Sequence, residues 1–163
     1  MRLAHHIRQS LELPAFIVNA FLQDLSDDEL FVRPSAGMNH IAWQLGHLIE
    51  SENSHINLVT ASQMPPLPEG FAAQHCRATS IIDDPDSFRT KSEYLALMAE
   101  QRLVTLELLS KLRDEDLQQP SPESIHYFGP TVACVFSGTA THWMMHAGQW
   151  AVVRRILGRP PLF

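Results

Sequence analysis

The sequence predicts an all-α protein, most economically a four-helix bundle, on three observations. Four long segments repeat their apolar residues at intervals of three and four. Polar caps, prolines or a glycine bound these segments. No segment alternates apolar and polar residues as a half-buried strand does.

The first helix is predicted over residues 3–23, where Leu3, Ile7, Leu11, Val18, Phe21 and Leu22 approximate one apolar stripe and Pro14 introduces a bend. Ser26-Asp27-Asp28-Glu29 has capping-box spacing and opens one short turn, closed by Arg33-Pro34-Ser35. Asn39 is a good N-cap for a second helix over 39–61, which carries His40, Trp43, His47 and Ile56. Residues 62–89 contain Pro65, Pro66, Pro68, Gly70 and Pro85, hold no helical period, and read as a long crossover. Thr90 and Glu93 form a second capping box. It opens a third helix over 90–112 with Tyr94, Leu97, Met98, Leu103, Leu106, Leu109 and Leu112. A loop rich in Pro and Ser covers 118–130. The fourth helix, over 131–157, ends with Arg154 and Arg155 against the negative end of its dipole. Gly158 fits C′, and Pro160-Pro161 forbid continuation.

A short internal repeat bears on the connectivity. Leu25–Leu30 ahead of Pro34 resembles Leu112–Leu117 ahead of Pro120. Each copy ends a helix, makes an acidic turn and leads into a histidine-bearing helix. A helix of about 22 residues is roughly 33 Å long, a span the 62–89 crossover can traverse. The second and third helices can then run parallel, in up-down-down-up order.

The 163 residues suit a single domain, 1–163, with a core that needs no disulfide or structural metal. Twelve Lys+Arg against eighteen Asp+Glu leave a formal charge of −6, which argues against a nucleic-acid partner. Two cysteines are too few for a disulfide framework or a thiolate zinc site. Cys76 reads as a loop thiol and Cys134 as a packing thiol. The N-terminal residues show no apolar signal region, so the expected location is cytoplasmic. Between Ser124 and Val153 there is no charged residue. That run is long enough to span a bilayer. His142, His146 and Gln149 inside it would need polar partners in lipid, so no membrane association is expected. The surplus apolar face is instead expected to form a homodimer interface.

Nine histidines are the compositional outlier. His142 and His146 stand four apart, which puts both imidazoles on one helix face. That spacing offers two nitrogen ligands to zinc or a similar divalent ion, and it equally suits two capped or water-bonded histidines. His47 lies in the middle of the other histidine-bearing helix and can complete a three-histidine site. Three protein ligands leave a position for water or substrate, the arrangement of a catalytic metal. Free imidazole titration would then set proton competition below about pH 6. His40 reads as a pocket proton shuttle or as a polar group at a helix start. Glu50 reads as a fourth ligand, an acceptor behind a ligand, or a solvated helix glutamate. Gln149 reads as a group supporting a ligand or touching substrate. His5, His6, His55, His75 and His126 share no spacing with these. Trp43, Trp143 and Trp150 read as packing residues.

Several of these segments resemble the DinB/YfiT-like metalloenzyme family. The carriers are Leu25-Ser26-Asp27-Asp28-Glu29-Leu30, the segment from Asn39 to His47, the run His142-Trp-Met-Met-His146-Ala-Gly-Gln149, and the closing Arg154-Arg155-Ile-Leu-Gly158. The resemblance spans nearly the whole chain. It implies an up-down-down-up four-helix bundle, often dimeric, with a divalent metal on His47, His142 and His146. It further implies a small-molecule substrate and either S-transfer with a low-molecular-weight thiol or metal-dependent hydrolysis. Zinc or nickel leads as the metal, ahead of iron or manganese. No glutamate accompanies the pair as in HExxH, which counts against peptide hydrolysis and favours thiolate activation. The alternative is a non-catalytic, dimeric bundle that binds a metal or a ligand.

Overall fold

The computed structural model describes residues 2–163. Four long helices carry the fold: α1 (Leu3–Leu22), α2 (Ile41–Val59), α3 (Lys91–Lys111) and α4 (Val132–Ile156). The described residues contain no strand, only an isolated bridge between Pro120 and Thr131. No helix among them is long and apolar enough to cross a membrane.

Local chemistry sets the helix ends. Thr90 accepts from the Glu93 backbone N–H while the Glu93 carboxylate accepts from the Thr90 N–H, closing the expected box at the start of α3. Ser26 and Glu29 exchange the same two bonds ahead of the turn Asp28–Phe31. At the start of α2 the expected cap is displaced by one residue. His40, not Asn39, is the N-cap, and its Nδ1 accepts from the Trp43 N–H at 3.1 Å. An imidazole nitrogen can serve the third N–H as a carboxylate would. His40 is fully buried, and the carbonyl of Ile82 is at hand 2.9 Å from its Nε2. Pro14 sits inside α1 without interrupting it.

The crossover is more ordered than its composition indicates. Single helical turns occupy Phe71–Gln74, Arg77–Ile81 and Pro85–Ser87. They are too short to show a period. Their signals are local: Gly70 takes φ +75° ahead of the first turn, and Asp84 caps the last with Pro85 at its first position. Similar turns, Asp114–Leu117 and Glu123–Phe128, fill the acidic segment and the Pro/Ser loop. The crossover lies tightly on α2. A Cβ at Gly46 would fall 2.0 Å from the ring of His75, so only glycine admits that buried histidine. His75 is held by the Phe71 carbonyl at 2.8 Å and by the Tyr94 hydroxyl at 2.7 Å.

The core has two apolar clusters. One gathers Val18, Leu22, Leu45, Leu48, Tyr94, Trp143 and Trp150; the other gathers Ile7, Leu11, Ile56, Leu108 and Phe136. A buried polar clamp joins all four helices. Glu52 of α2 accepts from Arg102 at 2.9 and 2.8 Å, from Thr105 at 2.8 Å and from the Trp143 indole at 2.9 Å. Arg102 reaches on to the Leu11 carbonyl of α1 at 2.7 Å.

Other pairings tie the ends. The Leu3 N–H donates to Asp114, just past α3. Arg154 near the end of α4 pairs with Asp24 and the Phe21 carbonyl at the end of α1. Arg154 is therefore a buried tie between helices and not only a charge at a dipole end. Gly158 at φ +71° and the bond from the Arg159 N–H to the Arg154 carbonyl close α4 as expected.

Candidate metal centre

α2 and α4 pack so that the start of one lies beside the end of the other, since Gln44 bonds both Gln149 and Trp150. One turn further along α2 from Gln44, His47 meets His142 and His146 of α4. Their ring centroids are 5.1 Å (His47–His142), 5.5 Å (His47–His146) and 5.0 Å (His142–His146) apart. One nitrogen from each ring lies within 4.8 Å of the others, and this is the one such group of possible ligands among the described residues. Trp43 stacks on His47 at 5.0 Å and 11°, fixing the plane of that ring.

Gln44 organises the opposite side of the site. Its Oε1 accepts from His146 Nδ1 at 2.8 Å and from the Trp150 indole at 2.8 Å, while its Nε2 donates to Gln149 Oε1 at 3.0 Å. The bond to Nδ1 places the proton there and leaves the Nε2 lone pair free. Burial holds the group neutral. Desolvation, reinforced by the neighbouring rings, pushes His142 down to about 3 and His146 to about 4, and desolvation alone lowers His47. At neutral pH the site presents three uncharged imidazoles, with one nitrogen of each within 4.8 Å of the others. That donor set fits a divalent ion such as zinc or nickel.

His47 and His142 face a cleft of about 760 Å³ between α1, α2, α4 and the Glu123–Phe128 turn. Leu3, His6 and Ile7 of α1 line one side; Tyr127, Phe128 and Met145 line another. A Cβ at Gly138 would lie 2.2 Å from the Phe128 ring, so this glycine lets the aromatic wall close on α4. Tyr127 and His55 share a hydrogen bond of 2.7 Å beside the cleft.

The structure thus brings His47, His142 and His146 together and distributes the other expected residues differently. His40 is not a shuttle in the cleft: Trp43 and Ile82 occupy both of its nitrogens. Glu50 is half-buried, with burial raising its carboxyl pKa, and stands outside the three-histidine group. Gln149 supports the site at one remove, through Gln44. Gln44 and the His55–Tyr127 pair were not anticipated as parts of the site. Gln44 had a readable signal, its place three residues before His47 on the same helix face. Tyr127 had none, because it arrives from a separate loop turn.

The chain matches the family model described as the DinB superfamily over residues 17–150, a span that contains all three histidines. No curated protein matches it significantly. Among solved structures, the crystal structure of a conserved protein from Enterococcus faecalis is similar, with a TM-score of 0.74 at 16% identity. The match covers 98% of this chain and 99% of that one. At that identity the likeness is one of fold.

Proposed function

This chain belongs to the DinB superfamily, and from that membership we propose a divalent-metal-dependent enzyme acting on a small molecule, of the hydrolase or thiol S-transferase kind. The observation that carries the reading is the convergence of three neutral imidazole nitrogens, within 4.8 Å of one another, beside an open cleft. His47, His142 and His146 would hold the ion, with zinc or nickel favoured by the all-nitrogen donor set over the oxygen-preferring manganese. Such an ion, when bound, supplies Lewis acidity that makes a water or a thiol easy to deprotonate near neutral pH.

The chain's own residues do the rest. Gln44 and Trp43 hold the ligand rings in orientation. Phe128 and Ile7 give the cleft apolar walls. The hydrogen-bonded His55 and Tyr127 can pass a proton between a substrate atom and solvent.

The architecture belongs to the same proposal. An up-down-down-up bundle is supported by the pairings of Leu3 with Asp114, Arg154 with Asp24 and Gln44 with Trp150. A homodimer is supported by the exposed apolar side chains of Met145, Val152 and Ile156 on α4 and of Leu13 and Phe16 on α1.

The test is calorimetric titration of zinc and of nickel into chelator-treated protein, parent and His142→Ala, followed by ester-hydrolysis and thiol-conjugation assays on the loaded form. Stoichiometric binding that His142→Ala abolishes is expected. Equal binding by the two proteins overturns the site. X-ray absorption showing every coordination position filled by protein would favour the non-catalytic bundle.

A further inference from the structure

Resting on the metal-site reading above, we propose that the substrate of this site is an uncharged, largely apolar molecule with one polar reacting group, and that carboxylate-bearing thiols are excluded. The cleft's own chemistry carries this. No Asp, Glu, Lys or Arg is among the residues lining its roughly 760 Å³. The wall from Tyr127 to Met145 belongs to the uncharged run between Ser124 and Val153. The polar groups that face the cleft are the Ser51, Ser137 and Thr141 hydroxyls, the Cys134 thiol, the hydrogen-bonded His55–Tyr127 pair, and the imidazoles of His6, His47 and His142.

A molecule that enters the cleft leaves much of its hydration behind. An apolar body gains from that transfer. A carboxylate or sulfonate loses hydration and finds no lysine or arginine to replace it. Glu50, one turn beyond His47, is half-buried and acidic, so it offers an anion no attraction. The proposed ion would serve the single donor atom at the reacting end. A thiol that carries further carboxylates would leave them unpaired against Phe128, Ile7 and Met145. Within the proposed enzyme class, this favours hydrolysis, or transfer to an uncharged thiol.

A matched pair of dyes isolates the charge. N-phenyl-naphthylamine is neutral, and anilinonaphthalene sulfonate is the same skeleton with one sulfonate. Both are titrated by fluorescence into chelated and zinc-loaded protein, with zinc binding measured separately by calorimetry. The neutral dye should bind at least about tenfold more tightly in both forms. Ser137→Trp, which fills the cleft, should abolish that binding with helical content unchanged. Ser137→Lys, which places a cation in the wall, should erase or reverse the preference, and it decides the matter if Ser137→Trp fails to fold. Equal or tighter binding of the sulfonated dye by the parent overturns the proposal. So does binding that survives Ser137→Trp in a folded protein, because the dye then sits elsewhere. If zinc does not bind but the dye preference and its Ser137 dependence hold, the metal reading falls and the cleft's ligand class stands.

Discussion

His142 and His146 are legible in sequence because helical spacing alone puts them on one face, whereas the arrival of His47 depends on how α2 lies against α4. Gln44 settles that arrangement by bonding His146, Trp150 and Gln149 at once. His47→Ala, His142→Ala and His146→Ala should each reduce bound zinc sharply, measured by elemental analysis of protein purified without a metal column. His126→Ala should not, since its ring bonds the Ser121 carbonyl away from the cluster. Gln44→Leu removes the acceptor that orients His146 but keeps all three ligands. It should weaken zinc binding by about 10–100-fold, the usual consequence of losing such a support. Unchanged affinity in Gln44→Leu would show that packing alone fixes the His146 tautomer. The residues that periodicity could not place are those whose role depends on another chain segment. His40 is drawn into the interior because Ile82, far along the crossover, accepts from it.

At the scale of elements, the capping boxes and the closing glycine were readable because their signals lie within four residues of each other. The buried clamp was not, because Glu52 and Arg102 are fifty residues apart and each resembles an ordinary polar helix residue. Their desolvated pairing joins α2 to α3, and through Trp143 and the Leu11 carbonyl it reaches α4 and α1. Arg102→Met leaves the Glu52 carboxylate buried without its cation and should cost about 3–5 kcal/mol in urea unfolding. The double variant Glu52→Met/Arg102→Met should be less unstable than Arg102→Met, because no uncompensated charge remains. A double variant with a larger loss than the single would mean that the Thr105 and Trp143 bonds matter more than the charge. Gly46 governs how the crossover lies on α2. Gly46→Ala drives a methyl into the His75 ring and should destabilise by about 1–3 kcal/mol. It should also loosen the nearby His47, visible as weaker zinc binding.

For the molecule as a whole, the four long helices and their approximate bounds followed from the sequence, whereas the short helical turns between them did not, and the meeting of distant ends, such as Arg154 with Asp24, is visible only in the structure. The whole structure also revises the expected response to acid. Free imidazoles would begin to lose a metal below about pH 6, but here burial holds His75 and His146 near 4 and His142 near 3. In the unfolded chain these side chains titrate near their ordinary value of about 6.5. Below that value the unfolded state binds protons that the native state refuses. Stability is therefore full above about pH 6.5 and declines as pH falls, until the native groups themselves protonate near 4 and 3. His75 alone, 3% exposed, accounts for about 3 kcal/mol of that decline. Chelated protein should keep its helical circular dichroism at pH 7.5, because two apolar clusters and the Glu52 clamp remain without an ion. Its urea midpoint should then fall progressively at pH 5.5 and pH 4.5. Zinc-loaded protein should melt higher at pH 7.5. Native His142 and His146 stay neutral at pH 5.5, and His47 is held below its ordinary value, so zinc protection should persist to lower pH than free imidazoles would allow. A flat urea midpoint between pH 7.5 and 4.5 would show that the buried histidines titrate as free ones do. Outright unfolding by chelator at pH 7.5 would make the ion structural and remove the case for a coordination position open to the cleft.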